Sequence, residues 1–502
     1  MRIKQDRLQR ANGVIMPIFS IPSPYGIGTF GKDAYEVVDF ISDASIRYWQ
    51  ILPLGQTSYG DSPYQSFSSF AGNPYFIDLD MLIEDGLLEE DDLDNLNFGD
   101  NERYVDYAIQ YNIRYRILRK AFENSKGKLD EQIEEFRDKE AYWIEDYATF
   151  MAIKLDQLDV SWIEWDEKLR DRDPEALSEF REEHKEDIDF YVFLQYEFFK
   201  QWEALKSYTN RHNIEIIGDL PIYVAFDSCD AWVNSEILQL DPETKMPVIV
   251  GGAPPDAYSE DGQLWGNPTY NWDKLEADGY TFWKKRLEMA LRTYDLLRLD
   301  HFRGFEKFYA IPGTDENAKF GTWEVAGGYK FFDNVLADLH DSKFIAEDLG
   351  YITKEVDELK DAYGFPGMNV IQFAFGENFD SNYLPHNYHR NSVVYSSTHD
   401  SSTLKGWLDS QNEEEIERVI KYFGLKEEED YMWDIIRNLM ASVSDIAMFE
   451  IQDFFGYGDE TKINSPGTLG DNWKWRAKKE DFTDALALKI KEMSKLYGRY
   501  NG

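Results

Sequence analysis

Four apolar, strand-like runs in this chain finish in a carboxylate: 214–219 in Asp219, 294–300 in Asp300, 344–347 in Glu347 and 392–400 in Asp400. A lone Asp after an apolar run is ordinarily a turn former or a helix cap. Recurrence changes that reading, because the runs alternate with segments of helical spacing. Strand–helix alternation builds a parallel sheet. In a closed parallel barrel the carboxyl ends of all strands share one rim. Acids repeated at those ends converge and repel one another, so clustering them costs stability unless a site uses them. The fold expected is therefore α/β, a (β/α)8 TIM barrel. Arg298 sharpens the picture. It lies two residues before Asp300, so by the period of a strand both side chains face the same way. A fixed cation there keeps the carboxylate ionised, which suits a nucleophile.

The rest of the chain fits one catalytic barrel with insertions over residues 1–502. A first strand at 13–19 and a second at 48–54 flank a helix over 32–45, which puts Ala34, Val37, Val38 and Ile41 on one face. The loop 59–75 mixes small polar residues with rings, which suits a packed surface loop and a sugar-binding loop equally. From 82 to 208 the texture is that of a mainly helical insertion subdomain, since 101–210 hold one glycine, Gly127, and one proline, Pro174. Its charge runs read as solvated faces. A second insertion, 225–290, contains the glycine- and ring-rich stretch 251–268, too long for a connector and read as a lid loop. Further strands are expected at 344–346, 369–373 and 392–398. The tail reads as helical from 413 to 455, then a loop at 464–473 and a helix over 482–496.

Composition narrows the partners. A formal charge of −42 argues against nucleic acid and against an anionic membrane. A neutral ligand such as a sugar meets no such penalty, and 14 Trp, 32 Tyr and 33 Phe suit a protein that stacks rings on flat ligand faces. Cys229 is the only cysteine, so no intrachain disulfide or cysteine-built metal site can form. With no apolar leader or spanning stretch, the expected compartment is the cytoplasm.

Two chemistries use clustered carboxylates. Glycosidic bond cleavage needs one ionised and one protonated acid across the bond. A Mg²⁺ carboxylate site is the alternative, and Arg298 beside Asp300 argues against it by competing with the cation. The segments Leu297–Phe302, Ala346–Asp348 and Thr398–Asp400 resemble the three catalytic segments of the α-amylase clan. The segments 62–66, 218–223, 254–256, 265–268, 384–388 and 465–468 narrow the likeness. Together they resemble glycoside hydrolase family 77, the 4-α-glucanotransferases or amylomaltases, from the first strand to Arg476.

That resemblance implies a (β/α)8 barrel without a separate C-terminal β-domain, and a retaining mechanism on maltooligosaccharides and other α-1,4-glucans. Asp300 would be the nucleophile. Glu347 would be the acid/base, with its pKa raised toward roughly 6. Asp400 and His399 would hold the sugar under attack, Arg298 would orient Asp300, and Asp219 would organise the site. Tyr64 would stack on the donor ring. Asp256, Tyr258, Gln263 and Trp265 would line a lid over the acceptor side, and His386 and Asn387 would contact sugar hydroxyls. Ser401, Ser402, Lys405 and Asn369 depart from the family's usual wording without touching the acids. No cofactor or metal is implied, and a monomer or homodimer is expected. The rival readings are a glucan hydrolase of the same clan, a non-catalytic glucan-binding protein and a metal-dependent barrel lyase.

Overall fold

The computed structural model describes residues 2–58, 60–255, 259–376, 381–426, 430–468 and 470–500. Eight parallel strands form one sheet: β1 (Ala11–Ile15), β2 (Tyr48–Gln50), β3 (Glu215–Leu220), β4 (Leu296–Leu299), β5 (Phe344–Ala346), β6 (Gly367–Val370), β7 (Ser392–Tyr395) and β8 (Ile446–Glu450). Neighbours run β6-β7-β8-β1-β2-β3-β4-β5. The two ends meet where Ala346 N–H donates to Pro366 O at 2.9 Å and Met368 N–H to Asp348 Oδ1 at 2.7 Å, so the sheet curls into a barrel. Lys360 pairs with the same Asp348 across that seam.

The two-residue period of these strands sorts the chain. One set of side chains, including Ile217, Leu296, Ile345, Tyr395 and Met448, makes an apolar cluster of its own inside the barrel. The alternate set, including Ile216, Leu297, Ala346, Val394 and Phe449, joins the larger cluster shared with the helices. Following the inward set two residues further reaches the rim: Ile217 to Asp219, Leu296 to Arg298 and Asp300, Ile345 to Glu347, Met448 to Glu450. Gly13 makes room on this inner face for the Met448 side chain, whose Cε would lie 2.6 Å from a Cβ there.

The strands are shorter than their apolar runs. β1 stops at Ile15, before Pro17, which has no N–H for a ladder, and a 3-10 turn follows at Ile18–Ser20. The expected strand at 369–373 is instead β6, two residues earlier, with a 3-10 turn at Ile371–Ala374. β8 corrects the reading of 413–455 as continuously helical. Helices occupy Glu413–Phe423, Tyr431–Ala441 and Ile451–Phe455, but Ile446–Glu450 is a strand between β7 and β1. Every residue of it is buried, so no polar–apolar alternation marks it, and its short apolar run has no helical or strand period of its own.

Between β2 and β3 the chain is mostly helical, ending in the 27-residue helix Lys185–Arg211. Phe198 and Trp202 of that helix pack on Phe30 at ring-centre distances of 5.2 Å each. Its Gln195 side chain accepts from Gly72 N–H at 2.7 Å and donates to Gly72 O at 3.0 Å, tying the helix to the ring-rich loop. The expected lid loop is in part regular. Ile249–Ala253 and Gln263–Pro268 pair antiparallel and join Lys307–Pro312 and Thr322–Val325 in a four-stranded sheet. Gly252 allows that pairing, since a Cβ there would sit 2.1 Å from Gln263 O. Among the described residues no helix is long and apolar enough to cross a membrane.

Candidate active site

The register of β3 against β4 sets Asp219 beside Arg298. Arg298 Nη1 donates to Asp219 Oδ1 and Oδ2, both at 2.7 Å, and to Asp300 Oδ1 at 2.9 Å. The Asp219 side chain is fully buried and that of Asp300 is 27 % exposed, so one guanidinium links a hidden acid to an accessible one. Burial pushes the Asp219 carboxyl upward and outweighs the downward pull of Arg298. Arg298 occupies the position a cation bridging these acids would need.

Glu347 stands one step past the register pair Leu299–Ala346, next to Asp300 along the rim. Its two oxygens accept backbone N–H groups, Oε2 from His301 at 2.8 Å and Oε1 from Leu349 at 2.9 Å. Burial, aided by the charge of Asp300, pushes its pKa up to about 8 against the opposing effect of Arg298. That exceeds the rough value of 6 expected from the sequence, because loss of hydration dominates and Arg298 donates its hydrogen bonds elsewhere. His301 reaches Glu347 through a left-handed backbone, φ 47° and ψ 53°, a conformation strained for a residue with a side chain.

Across the mouth, His399 Nε2 lies 3.1 Å from Asp400 Oδ2 and 2.9 Å from the Tyr64 hydroxyl. That hydroxyl donates to Asp219 Oδ2 at 2.9 Å, so its lone pair is free to accept the Nε2 proton. The Tyr64 ring stacks on His399 at 5.4 Å and 20°. Asp400 Oδ1 accepts from Asn464 Nδ2 at 2.6 Å. Although its crowded surroundings favour the neutral acid, His399 and Asn464 hold the Asp400 carboxyl at about 2. Burial works against the imidazolium of His399, and the Asp400 charge more than offsets it, giving a raised pKa.

The site thus gathers Tyr64, Asp219, Arg298, Asp300, Glu347, His399 and Asp400. Trp265 approaches through His301, whose ring it meets edge-on at 4.8 Å, and its indole N–H donates to Gln263 Oε1 at 3.1 Å. His386 and Asn387 lie on the 3-10 turn Pro385–Asn387 and bond Tyr422 and Ser381; their hydrogen bonds do not reach the acids. Asp256 and Tyr258 lie outside the described residues. Of the departures, Ser401 Oγ accepts from Thr398 N–H at 2.9 Å across the turn that carries His399 and Asp400, and Lys405 pairs with Asp409. Three neighbours of the site residues escaped the sequence reading: His301 beside Glu347, Asn464 beside Asp400, and Trp473 beside Tyr64 and His399. The first acts by its backbone. The others come from the loop 464–473, whose ends are tied by Trp473 N–H to Ile463 O at 2.7 Å, setting Trp473 5.8 Å from Tyr64. The ring and amide content of that loop was the only signal for them.

Known proteins bear on this geometry. The profile of glycoside hydrolase family 77, 4-alpha-glucanotransferase, matches residues 16–482. A 4-alpha-glucanotransferase of Clostridium butyricum is 49% identical over 485 residues, covering 96% of this chain and all of the relative. One from Streptococcus pneumoniae is 43% identical over 496 residues, 98% of each chain. Among solved structures, an amylomaltase from Streptococcus agalactiae in complex with acarbose superposes with a TM-score of 0.96 at 39% identity, covering 98% of this chain and 100% of that one. With the family profile, these relatives and the barrel fold in agreement over nearly the whole chain, the protein belongs to glycoside hydrolase family 77, the 4-α-glucanotransferases.

Proposed function

We propose that this 4-α-glucanotransferase moves α-1,4-glucan segments between maltooligosaccharides by a retaining double displacement. The observation that carries this reading is the contrast between adjacent acids: Asp300 touches Arg298, whereas Glu347 is held up to about 8. A carboxyl paired with a guanidinium beside one that burial keeps protonated supplies the nucleophile and the proton donor of glycosyl transfer. Asp300 attacks the anomeric carbon while Glu347 passes its proton to the departing glycosidic oxygen. A β-glycosyl ester on Asp300 and a released sugar result. Glu347, now ionised, takes the proton of an incoming 4-hydroxyl, whose oxygen displaces Asp300 and restores the α-linkage. Arg298 offsets the charge on Asp300 at both ends of the cycle.

In this reading Asp400 and His399 hold hydroxyls of the reacting sugar, Asp219 locks Arg298 and Tyr64, and Tyr64 lines the donor side. Gln263, Trp265, Asp256 and Tyr258 cover the acceptor side, and His386 and Asn387 bind more distant sugars. The aromatic stretches 251–268 and 464–473 favour a sugar over water as acceptor by excluding solvent. The helical block 82–208 acts as an insertion subdomain that braces the ring-rich loop. The enzyme works in the cytoplasm as a monomer or homodimer.

Incubation with maltotriose tests the reading. Transfer yields glucose plus a ladder of longer maltooligosaccharides. Shorter sugars alone would make the protein a hydrolase, and unchanged maltotriose would make it a binding protein.

A further inference from the structure

Behind Asp400 lies a buried acid for which the catalytic cycle has no role. Glu450 ends β8, is 1 % exposed, and continues the inward-facing series Ile446, Met448. Its Oε2 lies 3.0 Å from Ser397 Oγ, and its Oε1 is buried without a hydrogen-bond partner. Ser397 Oγ is also 2.6 Å from Asp453 Oδ2, which takes a second hydroxyl from Ser396 at 2.5 Å. Leu404 N–H donates to Asp453 Oδ1 at 2.7 Å.

Counting protons places one on a carboxyl of this cluster, since burial raises both Glu450 and, to about 6, Asp453. A hydroxyl carries one proton, yet Ser397 touches two carboxyls. Three donors surround Asp453, as befits a carboxylate, and the shorter contact claims the Ser397 proton. The 3.0 Å contact then sets two lone pairs against each other unless Glu450 itself is the donor. We propose that Glu450 is a positioning residue that keeps its proton at neutral pH and, by donating it to Ser397, fixes the turn carrying His399 and Asp400.

The surrounding charges agree. Facing Glu450 are Asp453 from the helix after β8 and Asp400 from the β7 loop, with Lys462 as the opposing cation. Asp459 faces Asp453, and His399 pairs with Asp400. Among the described residues neither Glu450 nor Asp453 makes an ion pair. Burial first, and the Asp453 charge second, raise Glu450 well above the ordinary carboxyl range. An acid buried only for stability would be replaceable by an apolar side chain of its size. This one is placed to hand a hydrogen bond to the residue two positions before His399.

The inference rests on His399 and Asp400 holding the reacting sugar, so the test includes a readout that needs no activity. Glu450→Gln keeps a donor for Ser397, while Glu450→Met keeps the bulk and removes it. In maltotriose transfer, Glu450→Gln is expected within about two-fold of the wild-type kcat and Glu450→Met at least about ten-fold below it. Thermal midpoints separate this loss from unfolding. The infrared difference between wild type and Glu450→Gln at pH 7 is expected to show the C=O stretch of a neutral carboxylic acid. Either absence of that band or a Glu450→Met variant as fast as Glu450→Gln would overturn the proposal. If the wild type transferred nothing, the infrared band would still decide whether Glu450 holds its proton.

Discussion

The β3–β4 side of the rim and the β7–β8 side solve one problem differently. Both bury carboxyls near the reacting centre. On the first side Asp219 and Asp300 share the guanidinium of Arg298, which is charged at every working pH. On the second, the hydrogen bonds of Glu450 and Asp453 among the described residues come from hydroxyls and backbone N–H, and the proton proposed for Glu450 supplies the compensation. Glu347 lies between these modes, with two backbone donors and a proton that comes and goes. A permanent cation suits the group that must stay negative. A removable proton suits a group that must give one up, or a scaffold that needs a directed hydrogen bond.

The largest test of this contrast is Asp300→Asn, which keeps the shape and removes the nucleophile. Transfer is expected to fall about 10⁴-fold or more, while calorimetry still detects sugar binding. Loss of binding together with turnover would instead make Asp300 a structural group. Next in size is Arg298→Met, which strands Asp219 with a 0 % exposed side chain. A loss of stability of about 3–5 kcal/mol is expected, read as a lower denaturant midpoint, and Arg298→Lys should recover part of it.

The proton-bearing side should answer to pH. With Glu347 as the proposed proton donor, kcat/KM is expected to decline as pH rises through about 8, and Glu347→Gln should abolish turnover. Stability has the same sign here. A carboxyl raised from 4.5 to about 8 binds more protons folded than unfolded. Its contribution is complete below about 4.5 and is lost as pH rises toward 8. Asp400 runs the other way: its contribution is present above the usual carboxyl range and is lost as pH falls through about 2. Thermal melts of wild type and Glu347→Gln between pH 4 and 9 check the first sign; a wild-type curve no steeper than the variant's would refute it. The smallest effect is Asn464→Ala, which removes one hydrogen bond from Asp400. It is expected to cost about 1 kcal/mol, roughly five-fold in kcat/KM.

Much of the barrel was legible because the strand period is local. Arg298 and Asp300, two residues apart, had to share a side, and the guanidinium does touch that acid. β8 was not legible, since a strand buried on both faces has no alternation to betray it. The site divides the same way. Asp300, Glu347 and Asp400 announce themselves at strand ends or just beyond them. The His301 N–H on Glu347 depends on a left-handed backbone, and Asn464 on a loop that returns from far along the chain.

What the amino-acid order determined by itself is which groups meet at the rim: carboxyls at or beyond the ends of β3, β4, β5 and β7, a cation two residues from one of them, and rings in the loops between. Only the tertiary structure decided their protonation, because that depends on what closes over each group. Glu347 and Glu450 are the same side chain at the ends of two barrel strands. Burial raises both, but Glu347 stands beside Asp300 on the rim, while Glu450 faces Ser397 and Asp453 in the interior. Hydration and the direction of each hydrogen bond arise from packing between distant segments, and no local pattern records them.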